Sequence, residues 1–415
     1  MLNDEVVNKV TDRLVRRIEQ VNTYTLEQIG KVINKIGKLT PSKARQLEQI
    51  LKYGGDFDKI VKELSRVTNL NVNEIFKIFE EVAKNDYDFA RKFYDYRGKK
   101  FIPYKDNVAL QTQVRAIATQ TAQDFLTQTT MLGYGMLDKD GNIIYRGLRE
   151  TYNELIDEAV LSISQGKETF QEAMYRQIKE LGGGGLKVIY PSTYVDKNGE
   201  IKHNTRRLDS AVRMNMNEGI RTLHNEIQEV IGEEFGADGI EISVHGMPAI
   251  DHEEVQGRQF SKEEYAKLNE GLEATDYKGR TYTLDHDDNG SYRPISTLNC
   301  QHYTFNIVLG VSTPEYTDEE LKKIREDNDK GFELDGKHYS LYEGTQLQRN
   351  IELELRKAKD TQIMAKASGN MELVGESQAR ITTLNKKYKE LLDISGLSSK
   401  LDRAKVIGYK RTKVK

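Results

Sequence analysis

At 415 residues the chain is too long for one ordinary hydrophobic core, so two or three domains are expected. Charged residues make up 31% against 37% hydrophobic, and Lys+Arg 62 against Asp+Glu 65 leaves a formal net charge of -3. That balance argues against a dedicated nucleic-acid-binding domain, which usually carries a basic stripe or a raised isoelectric point.

The single cysteine, Cys300, excludes an internal disulfide and fits a protein made in a reducing cytoplasm. No apolar run approaches the roughly 18 residues of a membrane span, and Met1 to Glu5 shows no secretory n- or h-region.

With 6 prolines, no tryptophan and many Lys, Glu, Leu and Ile, the first third reads as helix. Val6, Val7, Val10, Leu14, Val15, Ile18 and Val21 recur at three- and four-residue steps, the spacing of one buried helical face. Thr40-Pro41-Ser42 interrupts this pattern, with Thr40 as N-cap and Pro41 at the first position of a new helix. Tyr53-Gly54-Gly55-Asp56 interrupts it again. Ile60, Val61 and Leu64, then Val72, Ile75, Phe76, Phe79 and Val82, predict two further amphipathic helices, and Asn107 to Met131 another.

Beyond Gly133 the texture changes. An Asp-Gly turn at Asp140-Gly141 precedes a strand at Ile143-Ile144-Tyr145. One helix is expected from Thr151 to Leu181, ending in Gly182 to Gly185 as a C-cap and hinge. A phosphate cradle would need a preceding strand and a following Lys-Ser/Thr, and neither is present. Leu186 to Tyr190 and Glu200 to Lys202 read as a hairpin around Asn198-Gly199. A helix from Thr205 to Phe235 and a strand from Ile240 to Val244 follow. The last hundred residues return to helix, with Leu353, Leu355, Ile363, Ile381, Leu384, Leu391 and Leu392 on apolar faces. Lys and Glu fill the rest, as on a solvated or partner-facing surface.

Between His245 and Pro314 the chain is least helical and richest in chemistry. His245, His252, His286 and His302 lie here with Cys300 and several acids, among them Asp251 and Asp285 to Asp288. Imidazole, thiolate and carboxylate are the usual ligands of zinc. His245, Asp251, His252, Cys300 and His302 are therefore the candidate ligands, although no Cys-x-x-Cys, His-x-x-x-His or His-Glu-x-x-His spacing occurs. In a strand, Cys300 and His302 would share a face. The alternative is that these side chains bond backbone carbonyls and carboxylates, pinning a loop-rich fold. Asp285 to Gly290 lacks the ligand spacing of an EF-hand and reads as a hydrophilic turn. No Gly-x-Ser-x-Gly elbow is present, and nothing marks Cys300 as an activated nucleophile.

The same residues carry a family resemblance. His245-Gly246, Asp251-His252, Gln256-Gly257 and Phe260-Ser261 resemble the H-G-x-x-x-x-D-H-x-x-x-Q-G-x-x-F/Y-S stretch of phage minor capsid proteins. Asn299-Cys300-Gln301-His302, then Gly310 to Tyr316, resembles their N-C-R-H and G-x-S-x-P-x-Y block, with Gln301 where arginine is usual. Tyr342, Gln346 and Arg349, with Gln348, Glu352, Arg356 and Lys359, resemble a helical Y-E-x-T-Q-x-Q-R-x-x-E block. Gly396-Leu397 and Asp402 to Tyr409 resemble the closing segment. A looser similarity links Arg206 to Ser261 with the head-morphogenesis domain of Mu-type phages.

The resemblance implies a structural, non-catalytic protein of a tailed phage or prophage, acting in head assembly beside the portal protein and other head proteins. It would be made in the host cytoplasm and retained in the virion, with no membrane association. The motif residues His245, Asp251, His252, Gln256, Gly257, Asn299, Cys300, His302, Tyr342, Gln346 and Arg349 would build and pin the fold. No cofactor is implied, although the residues leave a structural zinc open. A metal-dependent hydrolase or nuclease using the His/Asp/Cys cluster is the competing function. Lys405, Lys410, Arg411, Lys413 and Lys415 offer a contact to packaged DNA. The expected fold is α+β and predominantly helical. It comprises a helical region over 1–135, a connecting helix and hairpin over 136–204, a small mixed α/β domain over 205–315 and a helical C-terminal hairpin within 316–415.

Overall fold

The apolar spacing of the first segment is realised as one long helix, α1 (Asp4–Ile36). Val7, Leu14, Val15, Ile18, Val21, Ile29, Ile33 and Ile36 are buried, and Thr11, Asn22 and Thr25 are buried with them. The computed structural model describes residues 4–38, 44, 47–48, 51, 55–96, 98–137, 143–165, 170–195, 199, 201–284, 293–297, 300 and 302–412. The turns expected at Thr40-Pro41-Ser42, Asp140-Gly141 and Asp285 to Gly290 lie outside those residues.

Helices α2 (Gly55–Phe89), α3 (Arg91–Tyr96) and α4 (Val108–Thr130) follow. Where the sequence separates two short helices after Asp56, one long α2 runs through both. The Asn107 side chain caps α4 by accepting from the Leu110 N–H at 3.1 Å.

Strands β1 (Leu132–Leu137) and β2 (Ile143–Gly147) then form a hairpin. Two helices, α5 (Leu148–Gln165) and α6 (Phe170–Gly184), stand where one was expected. Gly166, the poorest helix former after proline, falls in the sequence between them. Strands β3 (Lys187–Val195) and β4 (Ile201–Arg207) complete an antiparallel sheet of order β2-β1-β3-β4. The ladder is irregular between Ile189 and Thr193, around Pro191, which has no N–H to give it.

Helix α7 (Leu208–Phe235) starts three residues later than the sequence suggests. Thr205, Arg206 and Arg207 are still paired with Ile189, Val188 and Lys187 in the sheet.

A smaller unit then forms around an antiparallel sheet of order β6-β5-β9: β5 (Gly239–Ile242), β6 (Gln259–Ser261) and β9 (Thr304–Ile307). It also holds α8 (Lys262–Asn269) and the short pair β7 (Ala274–Thr275) and β8 (Thr281–Tyr282). Ile242, Val255, Phe260, Leu268, Ala274, Leu284 and Ile295 give it a core of its own. It is anchored to the helices through α7. His224 meets Asp86 of α2 at 2.6 Å and the Thr304 carbonyl of β9 at 3.3 Å, edge-on to Tyr303 and Phe305.

The chain ends in α9 (Asp318–Lys330), the hairpin β10 (Phe332–Leu334) and β11 (Lys337–Tyr339), and the helical pair α10 (Leu341–Ser368) and α11 (Met371–Ser395). Capping boxes, Thr317 with Glu320 and Ser340 with Glu343, start α9 and α10. The protein is thus α+β and predominantly helical. Its largest core is continuous from Val7 of α1 to Val374 of α11, so the first and last helices are built around the same interior.

Helix α10 departs from the solvated surface that its Lys and Glu content suggests. Gln348, Glu352, Arg356 and Asp360 recur every fourth residue and are buried. Gln348 donates to the Tyr388 hydroxyl and the Ser398 carbonyl, both at 2.9 Å, and Tyr388 donates to Glu352 at 3.0 Å. Arg356 pairs with Glu19 of α1 at 3.2 Å and with Asp209 of α7. Asp360 accepts from Arg207 of β4 at 2.9 Å and from Asn22 of α1 at 3.3 Å. The other end of Asn22 takes the Leu186 N–H at 2.8 Å.

Burial raises the Asp360 carboxyl above its usual range against the pull of Arg207 and Arg356. Burial and the neighbouring Arg207 push Arg356 down to about 10. Such a network adds little net stability, but removing one member strands its partners without water. Asp360→Ala should therefore lower unfolding stability by about 3–5 kcal/mol. Glu326→Ala, at an exposed pair with Lys322 on α9, should change it by about 0.5 kcal/mol or less. Parallel denaturant titrations of the two variants measure the contrast.

Candidate functional site

Strand β5 delivers His245, and the chain entering β9 delivers Cys300 and His302 to the same end of the small sheet. Ser243 and Tyr303 lock the two segments together: the Ser243 N–H donates to the Tyr303 carbonyl and the Tyr303 N–H to Ser243 Oγ, each at 2.8 Å. The third wall is the turn 250–257. Its Gln256 N–H donates to the His252 carbonyl at 3.2 Å, an i to i+4 step that sets the two side chains on one face. Gly257 closes the turn at φ 69°, where its N–H reaches the Ile242 carbonyl at 2.9 Å. A Cβ there would run into Leu321 and Val244, so both the conformation and the space require glycine.

Within these walls Cys300 Sγ lies 3.3 Å from His252 Nδ1 and 3.3 Å from His302 Nδ1. One ligand atom from each residue falls within 4.8 Å of the others. All three residues are only 1% exposed. His252 Nε2 donates to the Arg293 carbonyl at 2.8 Å. Gln256 Oε1 accepts the His245 N–H at 3.1 Å and faces His302 Nε2 at 3.4 Å. The His302 N–H points at Cys300 Sγ, 3.4 Å away. The His245 ring lies 4.4 Å from the His302 ring, but His245 stays outside the three-residue group. Asp251 is buried and held by both arms of Arg293 at 2.8 Å, 3.8 Å from His252.

Ser296 supports the loop before Cys300. It sits at φ 62°, unusual for a residue with a Cβ, and its Oγ donates to the His302 carbonyl at 2.9 Å. Cys300 and His302 both precede β9, so they do not meet by the side-chain alternation of a strand. Asn299, Gln301 and His286 lie outside the described residues.

Burial dominates the electrostatics here. It lowers His245 to about 4, helped by His252 and Arg293, and holds His302 well below its usual range with His245 and His252 beside it. Burial also opposes charge on His252 and Cys300. Their mutual hydrogen bond and attraction outweigh it, raising His252 and lowering Cys300.

The remaining motif residues lie elsewhere. Tyr342, Gln346 and Arg349 are on the first turns of α10, where Gln346 is exposed and Arg349 is depressed by burial and by Arg403. Gly310 to Pro314 and Tyr316 line a cleft of about 340 Å³ together with Arg258, Lys278, Arg280 and Asp318. Lys405 pairs with Asp402, and the Thr412 N–H bonds Gln378, while Lys413 and Lys415 fall outside the described residues.

Residues 2–393 match the model of the family described as phage minor capsid protein 2. The chain belongs to that family. It is a structural minor capsid protein of a phage, and its family places it in the virion among other head proteins. No curated protein and no solved structure matches it significantly. Among the described residues, no helix is long and apolar enough to cross a membrane.

Sequence reasoning found the histidines, Cys300 and Asp251 of this minor capsid protein but missed Arg293 and Ser296, whose roles depend on a loop path that no local pattern encodes. It also passed over Asp318, although Asp318 follows the capping residue Thr317. Lys278 at 2.7 Å and Arg280 at 2.8 Å, with Arg258, surround this carboxylate.

Two outcomes are expected. Arg293→Ala leaves Asp251 buried without its cation and should cost about 3 kcal/mol of unfolding stability. Unchanged denaturation midpoints would contradict this. Lys278 and Arg280 hold Asp318 well below the usual carboxylate range. Its folded value is below its unfolded one, so its contribution is complete above about pH 4 and fades as the pH falls further. The melting-temperature gap between wild type and Asp318→Asn should therefore be full at pH 7 and narrow progressively below pH ~4.

Proposed function

We propose that this minor capsid protein acts in head assembly at the portal vertex, is made in the host cytoplasm, and works without catalysing a reaction. The observation that carries the assembly reading is the family match across residues 2–393, which takes in the helical N-terminal part as well as the motif-bearing half. The portal is the partner implied by the motif blocks from His245 to Tyr409.

The geometry of the His/Cys cluster supports a scaffold over a hydrolase or nuclease. A catalytic metal or thiolate must meet both substrate and water, and catalytic zinc sites keep an open position. His252, Cys300 and His302 are each 1% exposed, and the Arg293 carbonyl and Gln256 occupy their outward faces.

The test is co-expression with the portal protein of the same phage. The chain should co-purify with portal rings, and particles assembled without it should lack packaged DNA. Infectious heads of normal yield from a deletion would sink the proposal.

A further inference from the structure

We propose that His252, Cys300 and His302 form a structural transition-metal site, with zinc as the ion its donors select, clamping the 250–257 turn and the loop before β9 onto the small sheet. The inference goes beyond head assembly and stands or falls separately from portal binding.

It follows from where the protons must be. The Gln256 amide oxygen is fixed as an acceptor because the His245 backbone N–H points at it. His302 Nε2 faces that oxygen, so Nε2 carries the ring proton and Nδ1 is left with a bare lone pair. His252 Nε2 faces a backbone carbonyl at 2.8 Å, which can only accept, so the same holds there whenever the ring is neutral. Both Nδ1 atoms are aimed at one sulfur, 3.3 Å from each. Cys300 has a single proton to offer two buried acceptors. Passing that proton to His252 leaves His302 Nδ1 lone pair against a thiolate. Either way one buried polar atom is unsatisfied, in a place that is 1% exposed.

A cation between the three atoms removes the conflict, because every lone pair then has a partner. Tetrahedral zinc, with Zn–S near 2.3 Å and Zn–N near 2.0–2.1 Å, holds sulfur and nitrogen about 3.5 Å apart. The two observed separations of 3.3 Å are close to that edge length. Each imidazole already donates its far nitrogen to an oxygen, the usual orientation of a metal-bound histidine. One thiolate with two imidazoles favours zinc over calcium or magnesium, which prefer oxygen. Asp251, paired with Arg293, lies 3.8 Å from His252 at the edge of the group. The His245 ring lies beside that of His302 but outside the three-ligand group.

Metal analysis and cobalt titration of the purified full-length chain test the site. Zinc should be present at about one ion per chain. Exchange for Co²⁺ should give a thiolate-to-cobalt charge-transfer band saturating at the same ratio. Cys300→Ser should abolish the band, whereas His245→Ala, which leaves all three ligands, should keep it. Gln256→Leu, which leaves all three ligands but removes the oxygen facing His302 Nε2, should weaken Co²⁺ binding roughly 10–100-fold. The wild-type titration needs no variant to fold. A folded wild-type chain that retains no zinc and shows no thiolate–cobalt band overturns the assignment. So does metal binding of unchanged affinity in Cys300→Ser.

Discussion

Asp360 has no exposed surface, yet strand β4 and helices α1 and α10 meet at its carboxylate. One turn earlier on α10, Arg356 gathers Glu19 of α1 and Asp209 of α7. An apolar interface could tolerate sliding by a fraction of a turn, since hydrophobic attraction has no direction. A buried ion pair cannot, because a small displacement leaves a charge without water and without a partner. The register of α10 against α1 and of β4 against both is therefore fixed here. Arg207 also donates to the Gly184 carbonyl at 3.3 Å, tying the end of α6 to the same point. The four-stranded sheet, whose last strand carries Arg207, inherits its place from this junction.

The small central unit is held by different means. Among the described residues its core, seven buried side chains from Ile242 to Ile295, is modest. Small units with limited apolar burial need staples. Here these are the Asp251–Arg293 fork, the Ser243–Tyr303 exchange and the His252–Cys300–His302 group, all at the same end of the β5–β9 pair. At the other end of β9, Leu309 donates its N–H to Asp238 at 2.8 Å. The sheet is thus clamped at both ends by polar contacts, and His224 fastens it to α2 through Asp86.

Much of this was legible in the sequence because it is local. Helical spacing located α1, α4, α7 and the final helical pair, and Asn198-Gly199 marked the β3–β4 hairpin. The histidines and Cys300 stood out by residue type alone. Errors arose where a distant partner overrides local preference. Thr205 to Arg207 resemble a helix start but are drawn into the sheet by Lys187 to Ile189. Gln348, Glu352, Arg356 and Asp360 resemble a solvated face because hydropathy ignores partners. Their four-residue spacing was visible, but Glu19, Asn22, Arg207 and Asp209 lie far away in the chain. Arg293 is similar: only the fold brings it to Asp251, 42 residues earlier.

The junction also constrains when the protein can become itself. Asn22 and Asp360 are separated by 338 residues, and the α1 core is shared with Ile363, Met364 and Ala365 of α10. Helix α1 cannot complete its buried polar contacts until α10 packs against it. Contacts this distant in sequence carry a loop-closure penalty before they return any stabilisation, which slows folding. The central unit, with its own core between Ile242 and Ile295, can close earlier, since its partners lie within one short stretch. Without α10, Asn22 loses its contact with Asp360 and Glu19 its contact with Arg356. The α1–α10 junction therefore makes the two ends of the large core depend on each other, and a change at either helix is felt by both.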